Sequence, residues 1–368
     1  MPNTARAPDV IVIGAGILGL CAAWACLRRG LRVTVLEKDR PGAGASGGPV
    51  GALAPFAPDP WSEDKAFQAK ALSEAGHYWS SVAEAGGGDP GFGCLGRVSP
   101  LTDPAGRRRA EASAHAAAQH WPQGFSYRVS DGHPALDPGL APFGVVEDTL
   151  TGRLDPPRAV AALAAALTSA GAELIPGATA IRVHPDCVET ATGFLRSAAV
   201  ILAAGAACAP LIPGPSGCAA IRGDAGQALR LRPLSRLDGP LRTAPGLYVV
   251  PHVDGTVGVG STRDRMADGE DHAKALDTLR ARAETLVPEF AGARVLVRWS
   301  GDRPRAPKPR PLVGPMPGQP SLVLATGGLG IGFALAPAIG DAAAAMVMGE
   351  TPDLPAAFAP GAHGIAPA

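Results

Sequence analysis

Apolar positions recur along this chain with two periods, and the alternation between them outlines a layered α/β protein. Val10 to Ile13 is an unbroken β-branched run, the pattern of a parallel strand buried on both faces. Leu18 to Arg29 then reads as a helix of small and apolar residues, with Arg28 and Arg29 in the last turn and Gly30 ending it. Leu31 to Leu36 is a second strand. Amphipathic helices are expected over Asp64 to Ala85 and Asp103 to Gln119, with a strand and turns over Pro90 to Leu101 between them and short strands over Phe125 to Val146 after them. Pro156 to Ala170 is an Ala-rich helix with Asp155 as its expected N-cap. A strand at residues 171–175, a hairpin over Ala178 to Thr192 and a buried strand over Ala198 to Gly205 follow. Ala206 to Ser216 reads as a crossover into a second, antiparallel sheet, built from Gln227 to Arg232, Gly246 to Val250, Thr256 to Ser261 and Arg294 to Trp299. The helix Asp271 to Leu286 lies on it. A last buried strand, Ser321 to Ala325, leads through glycines into the helix Ala334 to Met348.

The chemistry concentrates at the first strand–helix junction. Gly14-Ala15-Gly16-Ile17-Leu18-Gly19 is a G-x-G-x-x-G fingerprint set between strand and helix, as dinucleotide binding requires. Gly14 permits the tight turn, Gly16 lets a pyrophosphate approach the backbone, and Gly19 allows close helix–strand packing. The helix N-terminus offers free N–H groups and a positive dipole end. Glu37, at the end of the second strand and 18 residues after Gly19, stands where a carboxylate accepts hydrogen bonds from a ribose. Residues Val10 to Leu27 carry no charge over 18 positions, but three glycines and the strand that follows argue against a signal or a membrane span.

Two further glycine segments admit two readings each. Residues 42–48, GAGASGG, are either a flexible loop or a second close approach to a cofactor. Residues 327–332, GGLGIG, are either a plain strand–helix turn or a helix N-terminus aimed at a flavin pyrimidine edge, where charge accumulates on reduction. Arg107, Arg108 and Arg109 read as the solvated face of a helix.

Composition narrows the field. The 368 residues suit one large α/β unit or two domains, and 33 basic side chains balance 33 acidic ones, so no global field steers the chain to nucleic acid or an acidic membrane. Six cysteines without a C-x-x-C and eight scattered histidines suggest neither a disulfide framework nor a metal site. The cytoplasm is the expected location.

In order and spacing, VIVIGAGILG with LEKD, GASGGPVGALAP, AAVILAAGA, LYVVPHVDGTVGVGST, WSGDRP and PLVGPMPG…LVLATGGLGIGFALAPAIG resemble the D-amino-acid-oxidase-like flavoproteins, in layout the glycine oxidase and sarcosine oxidase type. The resemblance covers nearly the whole chain. It implies a Rossmann-like FAD-binding domain with a mixed or parallel sheet, interleaved with an antiparallel-sheet substrate domain: residues 1–85, 145–215 and 300–368 for FAD, and 86–144 and 216–299 for substrate. It implies non-covalent FAD on Gly14, Gly16, Ile17, Leu18, Gly19, Glu37 and Lys38. Further contacts are implied from Ala45, Ser46, Gly47, Ala180, Ala204, Gly205, Gly328, Leu329, Gly330, Ile331 and Gly332. Arg303 matches an arginine that clamps the substrate carboxylate and Tyr248 an aromatic of the pocket; Arg263 is placed near them at a strand end.

The implied reaction is oxidation of an amino acid or secondary amine to an imine, by hydride transfer to flavin N5. Its partners are a small amine or amino-acid substrate and dioxygen or another acceptor, with homo-oligomerisation open. A bidentate guanidinium suits such chemistry, because it fixes the carboxylate and with it the reacting carbon. The chain departs from glycine oxidases at Gly330, where they carry an arginine. It departs again at residues 305–310, RAPKPR, where an acidic residue is usual; this stretch reads as a solvated loop. A tRNA-modifying flavoprotein of the same fold, and a flavoprotein subunit without amine turnover, are the alternatives.

Overall fold

The computed structural model describes residues 7–86, 88–212, 221–260 and 272–366; Cys218 and Arg263 lie outside them. In chain order the strands are β1 Val10–Ile13, β2 Val33–Glu37, β3 Ala52–Leu53, β4 Arg97–Pro100, β5 Tyr127–Ser130, β6 Val145–Asp148, β7 Gly152–Arg153, β8 Glu173–Pro176, β9 Ala180–Val183 and β10 Cys187–Thr190. They continue as β11 Gly193–Arg196, β12 Ala199–Leu202, β13 Arg222–Arg232, β14 Leu241–Ala244, β15 Leu247–Pro251, β16 Val257–Gly260, β17 Arg294–Arg305, β18 Leu312–Met316 and β19 Gln319–Thr326. The helices are α1 Ile17–Arg28, α2 Glu63–Gly86, α3 Pro104–His120, α4 Pro156–Ser169, α5 His272–Leu286 and α6 Gly332–Val347.

The first sheet runs β18-β19-β12-β1-β2-β8. All its pairs are parallel except the antiparallel edge made by β18. Val10 and Val12 of β1 face a core shared with α1, α2, α4 and α6, whereas Ile11 and Ile13 face a core closed by Val183 and Val188 of the three-stranded sheet β9–β11. Burial on both faces explains the unbroken β-branched run. Helices α1 and α6 cross closely, since a Cβ at Gly340 would stand 2.6 Å from the Cys21 carbonyl carbon. Burial pushes the Cys21 and Cys26 thiols up to about 12, as suits core residues.

The second sheet runs β17-β13-β16-β15-β14-β4-β6-β5. Helix α5 covers one face, with Leu276, Leu279 and Ala283 packed on Leu229, Val249 and Val259. Four expectations need correction. The strand expected to stop at Trp299 continues to Arg305, because β13 pairs with it from Arg232↔Arg294 to Arg222↔Arg305. The sheet is not wholly antiparallel, since β14 pairs with β4 in parallel. Of Pro90 to Leu101, Arg97–Pro100 alone is a strand. Asp155 occupies the N-cap of α4 without capping it; its carboxylate is paired with Arg230 of β13 instead. Asp103 does cap α3, accepting from Gly106 N at 2.7 Å. No helix among the described residues is long and apolar enough to cross a membrane.

Candidate active site

The loop between β1 and α1 is shaped by its glycines. Gly14 has φ +102°, and a Cβ there would stand 2.6 Å from the Ala203 carbonyl oxygen of the neighbouring strand's end. A Cβ at Gly19 would strike the Gly14 carbonyl. At Gly16 the surroundings differ: a Cβ would meet only Ser46 Oγ, at 3.3 Å. The protein leaves this space to something else. Helix α1 has no acidic residue in its first turn, so its positive end is not neutralised from within. The space over Gly16 and this helix end fit a diphosphate.

Around the loop stand the other expected contacts. Glu37 is 9 % exposed; its Oε2 accepts from Ala15 N at 2.8 Å and its Oε1 from Asp39 N at 3.0 Å. The carboxylate is thus fixed at the end of β2, with lone pairs left for a diol, and Lys38 beside it is exposed. Ala45–Gly47 forms a 3-10 turn whose Ser46 Oγ accepts from Ile17 N at 2.9 Å. Ala180 opens β9, two residues after Ala178 donates to Glu37 O at 2.9 Å. Ala204 and Gly205 follow β12, and Thr326 donates to Gly205 O at 3.1 Å.

The last loop closes onto the first. A Cβ on Gly328 would lie 3.7 Å from Leu18 Cδ1, and one on Gly332 4.0 Å from Ile17 Cγ2. Leu329 holds φ +41° and donates its N–H to Pro304 O at 3.0 Å. A non-glycine residue in that region is strained and persists where its surroundings fix it. Helix α6 starts here, N-capped by Ile331 and again without an acid in its first turn. Two uncompensated helix N-termini therefore meet at one place.

The second sheet supplies the opposite wall. Pairing puts Tyr248, Gly260, Ala228 and Trp299 in one row across β15, β16, β13 and β17. The next same-face pair is Gly226↔Gly301 and the next Asp224↔Arg303. Trp299 leans over Gly301, where a Cβ would lie 2.8 Å from its Cη2. From the other side the Arg303 guanidinium covers Gly226, where a Cβ would collide with it. The indole also meets Gly48, whose Cβ would stand 3.4 Å from the ring, so the Ala45–Gly48 turn is packed against this wall. Pro49 and Val50 run on over Gly258 and Gly260, and His252 Nε2 donates to Pro49 O at 2.9 Å.

Arg303, Tyr248 and the glycine loops are thus gathered at the junction of the two sheets. Sequence reading missed His252 and the pair Gly226 and Gly301. The alternating Gly258 and Gly260 within one strand signalled a close approach on that face, made by Pro49 and Val50, but nothing local marked His252, Gly226 or Gly301. Among the described residues no group of three or more His, Cys, Asp or Glu is placed to hold a metal ion.

Comparison with known proteins agrees with this layout. The family pattern described as DAO, FAD dependent oxidoreductase, matches residues 9–346. A glycine oxidase of Pseudomonas putida is 30 % identical over 96 % of this chain and 98 % of its own length. The crystal structure of glycine oxidase from Geobacillus kaustophilus superposes with a TM-score of 0.83 at 24 % identity, over 96 % of this chain and 98 % of that one. By contrast, the tRNA 5-methylaminomethyl-2-thiouridine biosynthesis bifunctional protein MnmC of Psychrobacter cryohalolentis matches over 47 residues, 13 % of this chain and 7 % of its own. With its dinucleotide fingerprint in place and the family pattern spanning nearly its full length, the chain belongs to the DAO family of FAD-dependent oxidoreductases and is a flavin enzyme.

Proposed function

We propose that this enzyme oxidises the C–N bond of an amino acid or secondary amine to the imine, which water then hydrolyses. The observation that carries this reading is the Arg303 guanidinium, held over Gly226 on the same sheet face as Tyr248. The glycine oxidase relatives, matched over nearly their whole length, support it. FAD, when bound, supplies the two-electron oxidant that takes a hydride from the carbon bearing nitrogen.

The chain's own part is binding and orientation. The β1–α1 loop residues Gly14 to Gly19, with Glu37, Lys38 and the Ala45–Gly47 turn, hold the cofactor without a covalent bond. Ala180, Ala204, Gly205 and the Gly328–Gly332 loop complete the cradle. Arg303 receives the substrate carboxylate in two parallel N–H···O bonds, which fixes the neighbouring carbon. Tyr248 lines the pocket beside it. The segment Pro49–Val50, pressed on the glycines of β16, screens the junction from water. The proposed division keeps an FAD part and a substrate part, and counts β6 and β17 with the substrate part, which their pairing within the second sheet supports. The cytoplasm is the proposed location.

The test is anaerobic mixing of the holoenzyme with glycine, sarcosine, D- and L-amino acids and simple amines, followed by admission of air. Bleaching of the flavin by at least one of them is expected. A flavin that stays oxidised with every member of the panel defeats the proposal.

A further inference from the structure

The segment that crosses from the cofactor cradle to the second sheet is tied down at its start, middle and end. At its start Ser46 Oγ accepts from Ile17 N at 2.9 Å. At its end Gly51 O accepts from Leu154 N at 2.8 Å, just ahead of α4. Between them Pro49 O accepts from His252 Nε2 at 2.9 Å, and this bond joins the segment to the second sheet. His252 follows β15 directly, on the strand that carries Tyr248. Its ring is 1 % exposed, and Pro49 is buried. A carbonyl oxygen has no hydrogen to give, so Nε2 carries one even in the neutral ring.

The sheet is shaped to take the segment. A Cβ at Gly258 would stand 2.2 Å from Pro49 O and 2.9 Å from His252 Nε2. Val50 comes next. A Cβ at Gly260 would stand 2.5 Å from Val50 Cγ2, so this methyl occupies the place of a side chain on Gly260. Gly260 pairs with Tyr248 on one side and with Ala228 on the other. Gly226, which lies under the Arg303 guanidinium, is the next residue on the same face of β13. The Val50 methyl therefore lies on the strand beside Tyr248 and one diagonal step from the guanidinium.

We infer that His252 is a positioning residue: through Pro49 it fixes Val50 as the wall of the substrate site between Tyr248 and Arg303. The inference rests on the proposed C–N oxidation. Misplacing a reacting carbon by about 1 Å can cost on the order of 100-fold in rate, so a wall that shifts would show in the reduction step. Phenylalanine at 252 would fill the ring's volume without a donor and leave Pro49 O unpaired. Glutamine would restore an N–H at similar reach.

Holoenzymes of the parent, His252→Phe and His252→Gln are compared in two ways. Hydrogen exchange of the peptide spanning residues 47–53 reads the segment itself, and anaerobic flavin reduction by the best amine of the panel reads the site. In His252→Phe the exchange should rise about tenfold. The limiting reduction rate should fall about tenfold or more, while the substrate Kd from the same saturation curve stays within about threefold and FAD content is unchanged. His252→Gln should bring both readouts back to within about threefold of the parent. Gly260→Ala moves Val50 without touching the histidine, and it carries the test if His252→Phe does not fold. Its added methyl displaces Val50 Cγ2 and should lower the limiting rate about tenfold. An unchanged limiting rate in either variant overturns the inference, as does a glutamine variant as slow as the phenylalanine one. If no amine reduces the parent flavin, the C–N oxidation fails. Exchange that rises in His252→Phe and recovers in His252→Gln would then sustain the hold of His252 on the segment, and exchange alike in all three proteins overturns it.

Discussion

The guanidinium of Arg303 lies over Gly226, in the space a side chain at that position would fill. The two residues are diagonal neighbours on adjacent strands, since Gly226 pairs with Gly301 and Arg303 with Asp224. The absence of a Cβ on one residue therefore sets the position of the functional group of the other. Gly226→Ala should displace the guanidinium. In a strand interior alanine is otherwise favoured over glycine by roughly 0.5–1 kcal/mol. A variant of equal or higher Tm, with normal FAD content and kcat/KM lowered tenfold or more, is expected. Unchanged kcat/KM for the best substrate would show that the arginine position is not critical.

Arg303→Lys keeps the charge and removes the planar fork. The substrate carboxylate would be left poorly paired, which should cost on the order of 2–4 kcal/mol in kcat/KM, roughly 30- to 1000-fold. FAD content should not change. Amines without a carboxylate should be nearly insensitive to the substitution, and steady-state kinetics on matched pairs of substrates checks this. A change within about twofold for the best amino acid would remove Arg303 from the clamp.

At Gly16 a Cβ would meet only Ser46 Oγ, at 3.3 Å, so a side chain there asks no more of the protein than a small shift of that hydroxyl. Gly16→Val should fold and yet lose FAD, because the branched side chain occupies the diphosphate space. Far-UV circular dichroism and the flavin-to-protein absorbance ratio measure the two separately. A yellow variant with full FAD content would show that the diphosphate lies elsewhere.

How much of this was legible in the sequence depended on whether the cause was local. The β1–α1–β2 unit was, because its strand burial, its glycines and Glu37 act within thirty residues. The reach of β17 was not. Gly301, Asp302 and Pro304 are poor strand residues, and it is the long pairing with β13, some 80 positions away, that carries the strand on to Arg305. The parallel contact of β14 with β4 was hidden for the same reason: α3, α4 and the strands β8 and β12 of the first sheet lie between the partners in sequence. Arg303 was found by motif, but its orientation could be seen only once Gly226 was set against it.

Asp155 shows the same limit, and it can be tested. Its carboxylate, 1 % exposed, is paired with Arg230, whose Nε also donates to Thr256 Oγ1 at 2.8 Å. This pair joins the start of α4 to the second sheet. Removing Asp155 leaves Arg230 only the more distant Asp254, at 3.8 Å, so the loss should approach the roughly 3–5 kcal/mol of a broken buried pair without reaching its upper end. Asp155→Ala should lower Tm by on the order of 5 °C or more. Asp155→Ser separates pairing from capping, since serine is a good N-cap. It should be no better than alanine. Recovery of stability with serine would return the residue to the capping role expected from sequence.

The pH dependence follows from His252. The ring is 1 % exposed, Nε2 donates to Pro49 O, and Nδ1 has no hydrogen-bond partner. Burial holds its pKa below the ordinary 6.5, and the nearby Arg230 acts in the same direction; the Pro49 carbonyl and the carboxylates Asp155 and Asp254 oppose them. The folded state thus keeps the ring neutral while the unfolded chain takes up a proton near 6.5. Between the ordinary value and the lower folded one, the unfolded state binds more protons, so stability falls as pH falls. Above the ordinary value the contribution is complete and flat. His363, buried between Lys308 N and Pro311 O, is held low by burial as well and adds a step of the same sign. Denaturant unfolding of wild type and His252→Gln from pH 8 to pH 5 isolates the first histidine, because carboxylate titration is common to both proteins. The difference in stability between them should be constant above about pH 7 and narrow as pH falls below 6.5. A difference that stays constant down to pH 5 would mean that His252 titrates alike in the folded and unfolded chain.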